Sequence, residues 1–266
     1  MILKELLLAI YRYRGFIFGA VKRDFQSRYK TSMLGVIWLV IQPLSMIVVY
    51  TVIFSTVMRA KLVGVNGTFA YSIYLCTGIL LWGLFSEVVS KTMSVLIDNA
   101  NLLKKLSFPR ICLPLIVVNI ALLNFAIIFS LFTAFLILSD NFPGIVFLSI
   151  IPVIIIMLAF SVGLGMTLGI LNVFFRDVGQ LMGILLQFWF WFTPIVYPIS
   201  ILPDWAKGTI AYNPMAAVVG AGKSIMIDKI NPDWMSLMPA VILGVIFLFI
   251  GLVLFRKHAS DIVDEL

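Results

Sequence analysis

The residues able to do chemistry in this 266-residue chain are few and widely spaced. His258 is the single histidine, so the chain offers no histidine-based zinc site and no Ser-His-Asp arrangement. Ser-x-x-Lys and paired-carboxylate arrangements are not compelling either. Ala217-Val218-Val219-Gly220-Ala221-Gly222-Lys223-Ser224 satisfies a loose phosphate-loop pattern, with Ala in the first place. A working loop of that kind follows a strand, opens a helix and extends its lysine to a nucleotide. No βαβ unit surrounds this stretch. The expectation is coincidence: small residues packing a short helix, with Lys223 solvated. Glu87 and Lys91 are four residues apart with the acid first, the favourable order for a helical ion pair. Arg23, Arg28 and Lys30 are cations of the kind that suit phosphate.

These side chains must be carried by membrane helices. The chain is 62% hydrophobic and its mean hydropathy is +1.12, more apolar surface than a soluble domain can hide. About 20 apolar residues in a helix cross about 30 Å of hydrocarbon. Six such runs are present, at 34–58, 70–95, 111–138, 144–171, 180–202 and 237–255. Each is solidly apolar rather than alternating, which excludes strands.

Lys and Arg set the orientation. Lys4, Arg12, Arg14, Lys22, Arg23, Arg28, Lys30, Lys104, Lys105, Arg110, Arg176, Arg256 and Lys257 fall on one side. Arg59, Lys61, Lys207, Lys223 and Lys229 fall on the other, and Lys91 lies within a run. Both termini are expected in the cytoplasm. The net charge of +7 hugs membrane ends, which makes it a topology signal rather than a nucleic-acid surface. No cleaved signal peptide is visible. Leu3, Leu6, Leu7, Ile10, Ile17, Val21 and Phe25 fall near one helical stripe, so residues 1–33 are expected as an amphipathic helix at the inner interface, or as a basic anchor. Cys76 and Cys112 are expected about a membrane thickness apart, too far for a disulfide. Asn66-Gly67-Thr68 fits a glycosylation pattern, and in a bacterium it is only a turn. No polar stretch is long enough for a separate catalytic domain, so transport or scaffolding is favoured.

Several blocks carry a resemblance. Arg23-Asp24-Phe25-Gln26-Ser27-Arg28-Tyr29-Lys30-Thr31-Ser32-Met33-Leu34-Gly35-Val36-Ile37-Trp38, ending in Gln42-Pro43-Leu44, opens the series. Gly78-Ile79-Leu80-Leu81-Trp82 with Phe85-Ser86 follows, then Asn101-Leu102-Leu103-Lys104-Lys105-Leu106-Ser107-Phe108-Pro109-Arg110 with Leu113-Pro114. Asn172-Val173-Phe174-Phe175-Arg176-Asp177-Val178 and Thr193-Pro194-Ile195-Val196-Tyr197-Pro198 complete it. In order and spacing the chain resembles the ABC-2 export permeases across nearly its whole length, and within them the group exporting O-antigen, capsule and teichoic acid chains.

The resemblance implies an all-α membrane protein with six transmembrane helices, and a transmembrane domain over 34–266. It implies a permease subunit rather than an enzyme, with ATP and Mg bound by a separate cytoplasmic subunit and no cofactor in this chain. A homodimer in the bacterial inner membrane and a lipid-linked polysaccharide substrate are expected, with no nucleic-acid partner. Leu102, Leu103, Lys104, Lys105, Leu106, Phe108 and Arg110 are expected to couple to the ATPase, the plainer reading being a basic loop. Arg23, Arg28 and Lys30 are expected to admit the lipid pyrophosphate, or simply to attract anionic lipid. Trp82, Phe85, Glu87, Trp189 and Trp191 are expected to line the channel, with Tyr71 and Tyr74 as further candidates. Membrane packing is the alternative for the aromatics, and a structural ion pair for Glu87 with Lys91. Arg176 and Asp177 are expected as a helix-end pair or an ATPase contact. Pro194, Tyr197 and Pro198 are expected to form an outer gate, with short re-entrant helices between them and the last span. A drug or lipid exporter, an ATP-independent secondary transporter and a membrane scaffold remain open.

Overall fold

In hydrocarbon a continuous apolar run satisfies its own N–H and C=O groups only as an α-helix. The computed structural model describes residues 13–30, 69–105 and 111–257, with isolated positions at 37, 41, 45, 48, 49 and 265; among the described residues there are helices and no strand. The predicted span 34–58, residues Leu106, Phe108 and Arg110, and the side chains of Arg28, Lys30 and Lys105 lie outside what is described.

Helix α1 (Arg14–Lys30) is followed by α2 (Ala70–Asp98), α3 (Ala100–Lys105) and α4 (Cys112–Leu138). A 3-10 turn, Gly144–Ser149, leads into α5 (Ile150–Phe174), and α6 (Asp177–Phe192) comes next. Two short helices, α7 (Asp204–Ile210) and α8 (Pro214–Lys223), precede α9 (Met238–Lys257). Among the described residues four helices are long and apolar enough to cross a membrane: α2, α4, α5 with its leading turn, and α9 with its leading turn. They match the predicted runs 70–95, 111–138, 144–171 and 237–255 to within a few residues.

The predicted run 180–202 is corrected. Helix α6 ends at Phe192, where Thr193 turns extended with φ −99° and ψ 131°. Pro194 is the cause: it has no N–H to continue the ladder, and it biases the residue before it away from the helical region. Sixteen residues rise only about 24 Å, so α6 stops short of a full crossing and an extended strap continues from it.

Helix α2 is the centre of the bundle. Its most apolar stretch is 72% buried, against 22–28% for α4, α5 and α9. Helix α5 runs between α2 and α9 and presents glycines to both. A Cβ at Gly165 would lie 2.8 Å from Thr92 Cβ on α2. A Cβ at Gly163 would collide with the backbone of Leu248 on α9. Thr167 Oγ1 donates across the same seam to the Phe247 carbonyl at 3.2 Å. Close backbone approach is what holds helices together in lipid, where apolar surface gains nothing by leaving its surroundings.

One end of the bundle gathers the positive charge. There Val95, Leu96, Leu103, Leu113, Val173 and Phe255 pack together, bringing the end of α2, all of α3, the start of α4 and the ends of α5 and α9 into one layer. Helix α1 rests against α4 by Ile17 and Val21, which cover Cys112. Those two positions follow the predicted stripe; its first four members, and the Phe25 side chain, lie outside the described residues. Cys76 and Cys112 are both free and buried.

Candidate functional site

At the end of the bundle away from the positive charge, the strap 193–197 lies over the start of α2. It has no helix or strand partner, and Pro194 and Pro198 bring no N–H. Four consecutive strap carbonyls are met by side chains instead. Lys223 Nζ donates to Pro194 O at 2.5 Å and to Ile195 O at 3.1 Å. Tyr71 Oη donates to Val196 O at 2.9 Å, and Tyr74 Oη to Tyr197 O at 2.7 Å. The Lys223 amine also sits 3.2 Å from the centroid of the Tyr74 ring, within cation–π range. Gly78 makes room: a Cβ there would meet Ile195 Cγ2 at 3.0 Å and Lys223 Cε at 3.5 Å.

This corrects the expectation for Lys223. The small residues do pack a short helix, but the lysine is 8% exposed rather than solvated. Helix α8 belongs to none of the spanning helices, and burial pushes the Lys223 amine down to about 6. The two carbonyls and the ring face pull the other way by favouring the charged form.

The other end of α8 is held by Asn213. Its Oδ1 caps the helix through Met215 N at 3.0 Å and accepts from Trp189 Nε1 at 2.9 Å. Its Nδ2 donates to Phe192 O at 3.2 Å and Thr193 Oγ1 at 3.1 Å. Asn213→Ala removes a cap and a bridge together, and should lower stability by about 1–2 kcal/mol, read as a fall in melting midpoint in detergent. Asn213→Asp, which keeps the acceptor, should lose less.

The aromatic candidates divide. Phe85 is fully buried and Trp82 is 8% exposed. Phe85 stacks on Phe160 at 5.6 Å and meets the edge of Trp189 at 5.4 Å, while Trp82 packs on Phe190 at 5.8 Å. Tyr71 and Tyr74 are likewise buried. These rings are enclosed within one copy of the chain, where α4, α5, α6 and α8 pack around α2. Trp189 is half-buried and tied to Asn213. Trp191 is 60% exposed, on a face of α6 shared with Leu181, Ile184, Leu185 and Phe188. Tyr197 Oη donates back to Trp191 O at 2.7 Å.

At the basic end a cavity of about 400 Å³ is lined by Arg23 and Asp24 of α1, Lys91 and Asp98 of α2, Leu102 of α3 and Ile116 of α4. It brings an expected phosphate-binding residue beside the expected coupling helix. Within α3, Leu103 is 8% exposed and packs inward. It anchors the helix to the layer at this end of the bundle. Asn101 and Lys104 face outward. Glu87 pairs with Lys91 and also accepts from Asn124 Nδ2 at 3.0 Å, a bridge from α2 to α4. Asp177 stands in the first turn of α6, where a negative charge suits the helix dipole. Buried Asn172 closes that bend, its Oδ1 accepting from Gly179 N at 2.9 Å. Asn124 is not distinguished by the sequence, although an amide in an apolar run must find a partner.

The family model described as ABC-2 type transporter matches residues 16–227. The chain belongs to the ABC-2 type transporter family. Relatives of this ABC-2 chain include a protein named "O-antigen export system permease protein RfbA" from Myxococcus xanthus, 28% identical over 264 residues, covering 98% of this chain and 99% of the relative. A protein of the same name from Klebsiella pneumoniae is 30% identical over 237 residues, 88% of each. The "Polysialic acid transport protein KpsM" of Escherichia coli is 19% identical over 240 residues, 89% of this chain and 90% of that protein. The ABC-2 match takes in α1 to α8, and so the strap, Asn213, Lys223 and the basic-end cavity; α9 lies beyond it.

Proposed function

We propose that this chain is the membrane permease subunit of an ATP-driven exporter carrying a lipid-linked polysaccharide of the O-antigen kind across the bacterial inner membrane. The observation that carries this reading is similarity over nearly the full length to proteins named as O-antigen export permeases. ATP and Mg are placed in a separate cytoplasmic subunit, the partner with which ABC-2 type permeases work. The one phosphate-loop-like stretch supports this, since its lysine is turned into the protein.

In this reading the basic end faces the cytoplasm, with both termini there, and the strap faces outward. Helix α3 receives the partner's movement through Asn101 and Lys104, Leu103 transmits it to the core, and Lys105, Leu106, Phe108 and Arg110 join in the coupling. Arg23, with Arg28 and Lys30 further along α1, takes the pyrophosphate beside the cavity. Two copies pair, and the exposed α6 face carrying Trp191 walls the passage between them, because sugar rings slide along aromatic faces without a fixed register. Helices α7 and α8 dip in from the outer side. Pro194, Tyr197 and Pro198 form the outer gate.

Deleting the gene in its host should remove polymer from the surface and leave lipid-linked polymer inside the cell, both read on gels. Normal surface polymer would reject the reading and favour a drug or lipid exporter, or a scaffold. Trp191→Ala should lower surface polymer several-fold with the amount in the membrane unchanged; undiminished export would remove the aromatic wall.

A further inference from the structure

Helix α8 is fastened at both ends to one stretch of chain, residues 189–195. Asn213 holds its start and Lys223 holds its end. The tyrosines that hold the rest of the strap come from α2, the most enclosed helix of the bundle; Tyr74 also reaches Pro194 O, at a longer 3.4 Å. They are neutral donors with one hydroxyl hydrogen each. Lys223 is different in kind. It comes from a short helix, and its single amine takes two successive carbonyls. The arrangement also constrains movement. If the strap lifted alone, Lys223 would be left enclosed with unmet donors, and Pro194 and Ile195 with unmet carbonyls, each costly away from water.

We infer that Lys223 is the latch of the outer exit: a positioning residue whose amine holds the strap 193–197 shut over Gly78, so that the exit opens only when this hold is broken. The inference rests on reading the strap as the outer gate. It adds a residue that the phosphate-loop-like pattern disguises, and it gives that pattern a use unrelated to nucleotides.

Ile195 supplies the test because it is fully buried in the latched state. Ile195→Cys is placed in the full-length chain, expressed in its host, and cells are treated with N-ethylmaleimide. Each thiol is then quantified by mass spectrometry, with native Cys112 at the opposite end as an internal reference. With Lys223 present, the thiol introduced by Ile195→Cys should react slowly. Lys223→Met fills the space without a donor and should speed reaction at position 195 about tenfold, the factor expected for one lost hydrogen bond, with Cys112 unchanged. Lys223→Gln keeps a donor on a shorter stem and should fall between. Equal rates with Lys223 and with Lys223→Met overturn the latch. So does a parallel rise at Cys112, which would mark general loosening. If the Lys223→Met variant does not accumulate, Lys223→Gln decides: a faster rate at position 195 supports the latch and an unchanged rate overturns it. The labelling needs no cargo. Normal surface polymer after gene deletion would therefore remove the export reading and leave the latch standing, while slow labelling in both variants would do the reverse.

Discussion

Gly163→Leu is expected to leave no folded protein. At this position α5 and α9 meet backbone to backbone: an added Cβ would lie 2.8 Å from the carbonyl carbon of Phe247 and closer still to the Leu248 amide nitrogen. Those atoms belong to a helix and have no rotamer to change. The only relief is to push α9 away, and that costs the neighbouring contacts. Gly244 sits within 3.2 Å of the Phe160 backbone, measured from an added Cβ, and Gly251 within 3.1 Å of Met166 Cβ. Overpacking a core costs about 1–3 kcal/mol where side chains can yield. Here they cannot, so the loss should exceed that range. Size-exclusion chromatography in detergent should show aggregate or no protein, and Gly163→Ala should already melt at a lower temperature. Gly83→Ala is the control, since a Cβ there meets nothing within 4 Å. A monodisperse Gly163→Leu protein with a native melting midpoint would refute the close seam.

Phe85→Ala should destabilise the subunit by about 3–5 kcal/mol, the usual cost of emptying a filled aromatic site. Phe85 is fully buried, with Trp82 at 5.4 Å, Phe160 at 5.6 Å and Trp189 at 5.4 Å between ring centroids. Three rings cannot close together over the gap without moving α5 and α6. Phe188→Ala removes a ring that is 60% exposed and should leave the melting midpoint nearly unchanged. The pair separates two roles that sequence alone confounds. A channel residue would lose export at normal stability; a core residue loses stability first. If Phe85→Ala melted normally and export alone fell, the channel assignment for Phe85 would return.

The spans were legible because hydrocarbon admits only one backbone solution, and because runs such as 111–138 have no competing period. The end of α6 was legible in part, since Pro194 announces a break, but a hydropathy run continues through Ile195 and Val196 and overstates the helix. What could not be read was which face of an apolar helix is covered. In α2 even polar positions such as Ser72, Thr77 and Thr92 are buried, so polarity does not tell for Trp82 and Phe85, or for Leu103 of α3, which face is core, channel or partner. Lys223 was unreadable for a different reason. Its acceptors lie 28 and 29 residues earlier, and only the tertiary fold brings them together. A lysine after Gly-Ala-Gly looks solvated until its neighbours are known.

The glycines on both sides of α5 have a mechanical consequence. Helices α2, α5 and α9 are joined through main-chain atoms, which neither rotate nor compress, and they make a stiff doorframe. Helix α6 has no such seam: most of its surface is free, and its far end is held by Trp189 and Phe190 packed on the core rings and by polar clasps to α8 and the strap that can be undone. Whatever swings during a transport cycle hangs on that side. A molecule meant to jam this protein would do better wedged against the hinge side, between α6 and the frame, than bound anywhere in the frame itself.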